Sequence, residues 1–404
     1  MTRRERVIRA LDFRKTDKIP KDLGSMGATG ISAFAYARLV PALGLPLRPI
    51  RIHDVNQMLA LPDPDILDAL DCDVALASWT KMCSSVDNDC AGWKPYDFNG
   101  RLFALVKDPS VFSVQKDGTI EMNNASGTKK YMPPASYVFD EAHGGQKFDF
   151  NDEIQKIDID KLSDTLEKEL PDSKTVSAIR TYLQRIRGMT DRAVMISGMK
   201  AELGFPGGLP QWSMLCMTDP EHAREVFRVK TQYAIEYYKR LLPQIKDYFD
   251  ILMVSTDDQG TQNSTILPPQ IFTDLYAPYY KMINEVIHFH APGAKTFLHS
   301  CGAVYTLIET FIACGFDILN PVQWTAGGKS FKDWKDICRN RITLWGGGVD
   351  TQTMLPLGTL EDTIRQAREV SAYCSSDGGY VFCAIHNILA EIPAEKIIAM
   401  YRQV

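Results

Sequence analysis

Residues 295–322 read KTFLHSCGAVYTLIETFIACGFDILNPV. The first part, Lys295–Cys301, is an apolar run that ends in polar side chains. Val304, Leu307, Ile308 and Phe311 follow at the spacing of one helix face, and Gly315 closes that stripe just past its last turn. A second apolar run, Phe316–Val322, comes next. Strand, helix and strand in so short a stretch predict two parallel strands joined by a crossover, since a hairpin would make them antiparallel.

The rhythm extends outward from this unit. Strands are predicted at Ala193–Met199, Asp250–Thr256, Ile342–Gly346 and Gly379–Ala384. Two earlier ones, Lys18–Gly24 and Asp73–Ser78, bring the total to eight. Arg3–Phe13 reads as a short amphipathic helix and Pro62–Leu70 as another. Asp219-Pro220 opens a helix to about Tyr248, Thr359 with Asp362 forms a capping box for one through Val370, and Pro393 opens the last. No GxGxxG follows the first strand and no GxxxxGK[ST] occurs, so a nucleotide-binding doubly wound sheet loses support. The expected fold is α/β: one (β/α)8 TIM barrel over residues 1–404. Residues from about 80 to 150 differ in character. They are rich in Gly, Asn, Asp and Pro, with alternating runs at Arg101–Val106 and Thr119–Met122 and a hairpin signal at Lys116-Asp-Gly118. A β-rich insertion on the barrel is expected there.

With 404 residues, 45% hydrophobic and 24% charged, the chain has the composition of a globular protein. A net charge of -5 offers no basic field for nucleic acid or an anionic membrane. There is no apolar run long enough for a membrane span and no signal-peptide core near the N-terminus, so the expected location is the cytoplasm. Nine scattered cysteines, an odd number, do not make a disulfide framework; most are expected as small buried hydrophobes, a few as metal ligands.

Barrel chemistry sits where strands end and the following loops begin. Five such ends are polar: Ser197–Glu202, Thr256–Gln262, His299–Gly302, Gly346–Asp350 and Cys383–Asn387. His299 and Cys301, two residues apart on a strand, point to the same side. An imidazole beside a thiol suits zinc, although a packed histidine next to a buried cysteine has the same spacing. Cys383, at the end of the last strand, is one candidate third ligand, and His386, one turn later, is the alternative. Asp257 and Asp258 are candidate acid/base or anchoring groups, and being adjacent they face opposite ways, so at most one meets the pocket. Their other reading is capping of the Gly260 turn. Gly346–Gly348 allows close backbone approach, Asp350 is placed to cap the next helix, and Gly207-Gly208 reads as a loop turn.

These strand ends, in this order, resemble the uroporphyrinogen-decarboxylase-like superfamily. The resemblance rests on Arg3–Leu11 with Asp17–Pro20, Asp257–Gln262 with Tyr276–Tyr280, His299–Gly302 with Asp317–Gln323, Gly347–Gln352, and His386–Ile388. It implies a barrel and one of two chemistries, either metal-free decarboxylation of uroporphyrinogen or zinc-assisted methyl transfer between a corrinoid and a thiol. The decarboxylases carry an arginine-rich motif after the first strand, whereas Asp22–Gly30 holds no arginine. A substrate bearing many carboxylates needs such cations. The methyltransferases bind zinc through His-x-Cys and a later Cys, which His299, Cys301 and Cys383 match. Some use a Glu where this chain has Gln323. The expectation is therefore a zinc-assisted methyltransferase, with a corrinoid protein or free corrinoid as partner and a small-molecule acceptor. Gln262, Gln323, Asp350 and His386 stand as its substrate- or cofactor-binding candidates. The alternatives are a metal-free decarboxylase using Asp257 or Asp258, and a non-catalytic binding barrel.

Overall fold

The computed structural model describes residues 1–78, 92–123, 127–141, 154–197 and 201–404. Seven strands form one parallel sheet: β1 (Val74–Ser78), β2 (Ala193–Ser197), β3 (Ile251–Ser255), β4 (Lys295–His299), β5 (Ile318–Asn320), β6 (Thr343–Trp345) and β7 (Tyr380–Val381). Each pairs with its neighbour in the chain. Their order never reverses, so the sheet has no switch point of the doubly wound kind.

The sheet is TIM-like and curls until both edges meet one segment. At the β7 edge, Phe382 N donates to Pro20 O (2.8 Å) and Asp22 N donates to Phe382 O (2.9 Å). At the β1 edge, Asp73 N donates to Lys21 O (2.8 Å). The strand expected at Lys18–Gly24 is thus a single bridge, Lys21 to Phe382. It stops early because Pro20 has no N–H and the chain turns at Gly24 (φ 83°), where a Cβ would lie 2.7 Å from Pro62.

Alternate strand residues face opposite sides. Val74, Met195, Met253, Phe297, Ile318, Trp345, Val381 and Cys383 gather with Val7 and Leu11 of the first helix, Arg3–Leu11, which packs on the sheet interior. Val194, Ile196, Leu252, Val254 and Leu298 belong instead to the outer core under the helices. The caps read from sequence are present. Asp219 accepts from His222 N (3.2 Å) at the start of Pro220–Ile245, and Thr359 with Asp362 boxes the start of Leu360–Cys374. Among the described residues, no helix is long and apolar enough to cross a membrane.

Among the described residues, five short strands lie between Lys94 and Met132, all in antiparallel pairs. One hairpin turns at Gly118 (φ 86°), as the Lys116-Asp-Gly118 signal predicts. Phe103–Val106 also pairs in parallel with Ile50–Asp54, a strand upstream of the β-rich region read from sequence. Met199, Cys83 and Cys90 lie outside the described residues.

Candidate metal centre

Two loops cross at the mouth of the sheet and set the position of Cys301. The loop after β3 and the loop after β4 meet at Gly260 and Gly302, where a Cβ on Gly260 would lie 2.6 Å from Cys301 O. Side chains and carbonyls then take the amides in turn. Ser300 N donates to Asn320 O (2.8 Å), Cys301 N to Asp258 Oδ1 (2.7 Å), Gly302 N to Gln323 Oε1 (2.8 Å) and Ala303 N to Thr261 O (2.8 Å). Ser300 Oγ accepts from Gln259 N (2.9 Å). A turn with so many satisfied amides has little freedom to move.

His299 follows Phe297 by two residues, so its ring faces the sheet axis above the apolar interior. It is 6% exposed. Nδ1 lies 2.5 Å from Asn320 Oδ1, and Asn320 Nδ2 donates to Trp345 O (2.8 Å). Nε2 lies 3.2 Å from Cys301 Sγ and 3.5 Å from Asp258 Oδ1. The His386 ring centre is 5.9 Å from that of His299. One ligand atom each from His299, Cys301 and His386 lie within 4.8 Å of one another.

The local field separates these groups. Burial, and then the Asp258 carboxylate, push the Cys301 thiol well above the usual thiol range. Burial, and then the neighbouring His299, push His386 below the usual imidazole range. At neutral pH this leaves His386 a neutral ring with a free lone pair beside a protonated thiol. A divalent cation would change that, because thiolate coordination offsets the cost of losing the proton. Two nitrogens and one sulfur fit zinc.

Of the other predicted residues, Asp258 and Gln323 meet the Cys301 turn, while Cys383, Asp257 and Asp350 are engaged elsewhere. Cys383 is 1% exposed among the apolar side chains of the sheet interior and lies outside the His299–Cys301–His386 group. The adjacent carboxylates do split. Asp258 turns to Cys301, while Asp257 turns to the helices, accepting from Gly204 N (2.9 Å) and from the Tyr280 hydroxyl. Burial pushes Asp257 up. Burial, and then Asp257, push Glu202 up, and burial pushes Lys230 down. Gln323 Nε2 reaches Gln262 Oε1 at 3.4 Å. Asp350 is occupied locally, accepting from Gln352 N (2.9 Å), Thr353 N (3.2 Å) and the Thr353 hydroxyl. It holds the turn before the next helix, Met354–Leu357, whose N-cap position is Thr353 and not Asp350 as expected.

Sequence reading gave no role to Asn320, Glu202, Lys230 or Tyr280, although Asn320, Glu202 and Tyr280 fall within the stretches Asp317–Gln323, Ser197–Glu202 and Tyr276–Tyr280. Asn320 had a signal, an amide inside the predicted apolar strand Phe316–Val322; in the structure it ends that strand and is 0% exposed. Lys230 had none, because it lies inside an ordinary amphipathic helix, and Tyr280 had only its place in the Tyr276–Tyr280 stretch.

No curated protein matches the chain. Among solved structures, a methyltransferase from Methanosarcina mazei superposes with a TM-score of 0.53 at 14% identity, covering 100% of this chain and 98% of that one. At that identity the likeness shows the fold. Xylanase 10B from Thermotoga maritima reaches a TM-score of 0.32 at 9% identity over 55% of this chain and 79% of that one, too low to carry any argument. The family model for uroporphyrinogen decarboxylase (URO-D) matches residues 193–404, which run from β2 to the C-terminus and include His299, Cys301 and His386. That match covers more than half of the chain, which therefore belongs to the uroporphyrinogen decarboxylase (URO-D) family.

Proposed function

We propose that this protein is a zinc-assisted methyltransferase, moving a methyl group between a corrinoid and a thiol or similar acceptor. The observation that supports this most is the convergence of His299, Cys301 and His386 at the mouth of the sheet. His386 is taken as the third ligand in place of Cys383, whose sulfur packs in the apolar interior. The likeness in fold to a methyltransferase along its whole length agrees with this reading.

A zinc ion bound there would act as a Lewis acid and favour the thiolate form of an acceptor thiol. The protein's own groups do the rest. His299 and His386 would hold the ion as neutral imidazoles, and Cys301, on a turn held by Asp258, would hold it as a thiolate. Asp258, 47% exposed and the carboxylate beside His299 and Cys301, takes the proton the acceptor thiol loses. The acceptor sulfur then forms a bond to the methyl carbon as the cobalt–carbon bond breaks, its electron pair staying on the cobalt of the corrinoid substrate. Asp257 holds the loop that carries Asp258, and Gln262 and Gln323, paired next to Gly302, are the groups to contact substrate. The same reading takes the curled sheet as a (β/α)8 barrel completed by Pro20–Asp22, residues from about 80 to 150 as an insertion on it, and the cytoplasm as the place where a corrinoid protein meets it.

The decarboxylase alternative has less support. The Asp22–Gly30 segment offers no arginine, and Asp22 is fully buried, accepting from Trp345 Nε1 (3.0 Å) and Ser25 Oγ (2.5 Å). The test is demethylation of free methylcobalamin by thiols, followed by its absorbance. The wild-type protein should accelerate the reaction, and Cys301→Ser should fall to background. Zinc-loaded wild-type protein that demethylates nothing with any thiol would overturn the proposal.

A further inference from the structure

The tautomer of His299 follows from a neighbour, Asn320, that lies within the Asp317–Gln323 stretch but had no role in the sequence reading. The carbonyl oxygen of Trp345 can only accept, so the Asn320 atom 2.8 Å from it is the donating nitrogen. Asn320 Oδ1 therefore faces His299. It too can only accept, and it lies 2.5 Å from Nδ1, so Nδ1 carries the hydrogen. Nε2 is left with the lone pair, on the side where Cys301 Sγ sits 3.2 Å away and Asp258 Oδ1 sits 3.5 Å away, the latter at a longer distance than the Asn320 acceptor at Nδ1. Asn320 is fully buried, and rotating its amide would set two oxygens against each other at the Trp345 carbonyl.

His386 repeats the device with different parts. Its Nδ1 lies 2.5 Å from Asn387 Oδ1, and Asn387 Nδ2 donates to Gln57 Oε1 at 3.2 Å. Both rings thus have Nδ1 engaged by an asparagine amide, and both leave Nε2 without such a bond. A histidine metal ligand needs this arrangement, in which the second nitrogen donates to a fixed acceptor and the first presents its lone pair.

We propose that Asn320 and Asn387 are positioning residues that hold His299 and His386 as Nδ1–H tautomers, so that both turn Nε2 to one metal ion. The purpose rests on the metal reading above. The tautomers themselves are a property of the metal-free chain and are tested without it.

The experiment labels the histidines of the full chain with 15N and reads their tautomers by two-bond proton–nitrogen correlation in metal-free protein. His299 and His386 are assigned by the signals lost in His299→Gln and His386→Gln. Both should appear as Nδ1–H. Asn320→Ala should release His299 to a mixture or to Nε2–H and weaken zinc binding, measured by chelator competition, about 10- to 100-fold. Asn320→Asp keeps an acceptor at Nδ1 and, with the proton on the oxygen that faces the Trp345 carbonyl, should restore the tautomer. Asn387→Ala should do the same for His386 at a half-buried position, which keeps the test alive if Asn320→Ala does not fold. Wild-type rings protonated at Nε2, or tautomers and zinc affinity unchanged in both alanine variants, would overturn the inference. Correct tautomers in a wild-type protein that binds no zinc would support the positioning and sink the methyltransferase reading.

Discussion

Asp257 and Asp258 are neighbours in sequence with opposite surroundings. Asp258 sits 47% exposed beside Cys301, and Asp257 is 4% exposed against Tyr280 and Gly204. Strand alternation made the split legible, but not which residue went where, because that depended on Tyr280, 23 positions away. The Asp257–Glu202 pair makes a prediction with a definite sign. Burial raises both carboxylates in the folded protein. The folded state therefore holds their protons more tightly than the unfolded chain. The resulting stability is fully present below the unfolded carboxylate range, about pH 4, and is lost as pH rises through the raised folded values. Glu202→Gln removes one of the two titrations. Its unfolding free energy in urea, relative to wild type, should climb as pH rises from about 4 to 8. A difference that stays flat with pH would show that the pair is not protonated on folding.

At the scale of elements, the strand ends matter more than the strands. β3 and β4 were readable as apolar runs, and Gly260 and Gly302 stood in the quoted motifs. Their role comes from contact between two loops, which no single stretch of sequence contains. Gly302 has φ 87°, and a Cβ there would lie 2.6 Å from Thr261 O. Gly302→Ala should cost about 2 kcal/mol of stability and shift Cys301 away from His299, so zinc affinity should fall as well. Gly207 makes the control. It also has positive φ (81°), but a Cβ there meets nothing within 4 Å, so Gly207→Ala should strain its turn and leave zinc binding unchanged. Chelator competition and urea unfolding on the two variants separate site geometry from backbone strain. Equal zinc affinity in both would deny that the crossing sets the site.

Across the whole molecule, the centre draws on residues almost ninety positions apart, His299 and His386, which only a curled sheet brings together. Much of that sheet was legible, because its strands are apolar runs separated by capped helices such as Pro220–Ile245 and Leu360–Cys374. The joining segment Pro20–Asp22 was legible as a strand but not as a bridge, since its length is set by Pro20 and by the Gly24 turn against Pro62. Cys383 illustrates the limit of motif reading. It has a ligand's chemistry and sits at a strand end, yet it follows Val381 by two residues and so joins the apolar interior. The direct test of the centre is the zinc content of the purified chain and three variants. One zinc per chain in the wild type and in Cys383→Ser, with loss in Cys301→Ser and His386→Ala, is the predicted result. Zinc kept by His386→Ala and lost by Cys383→Ser, or no zinc in the wild type after loading, would contradict it.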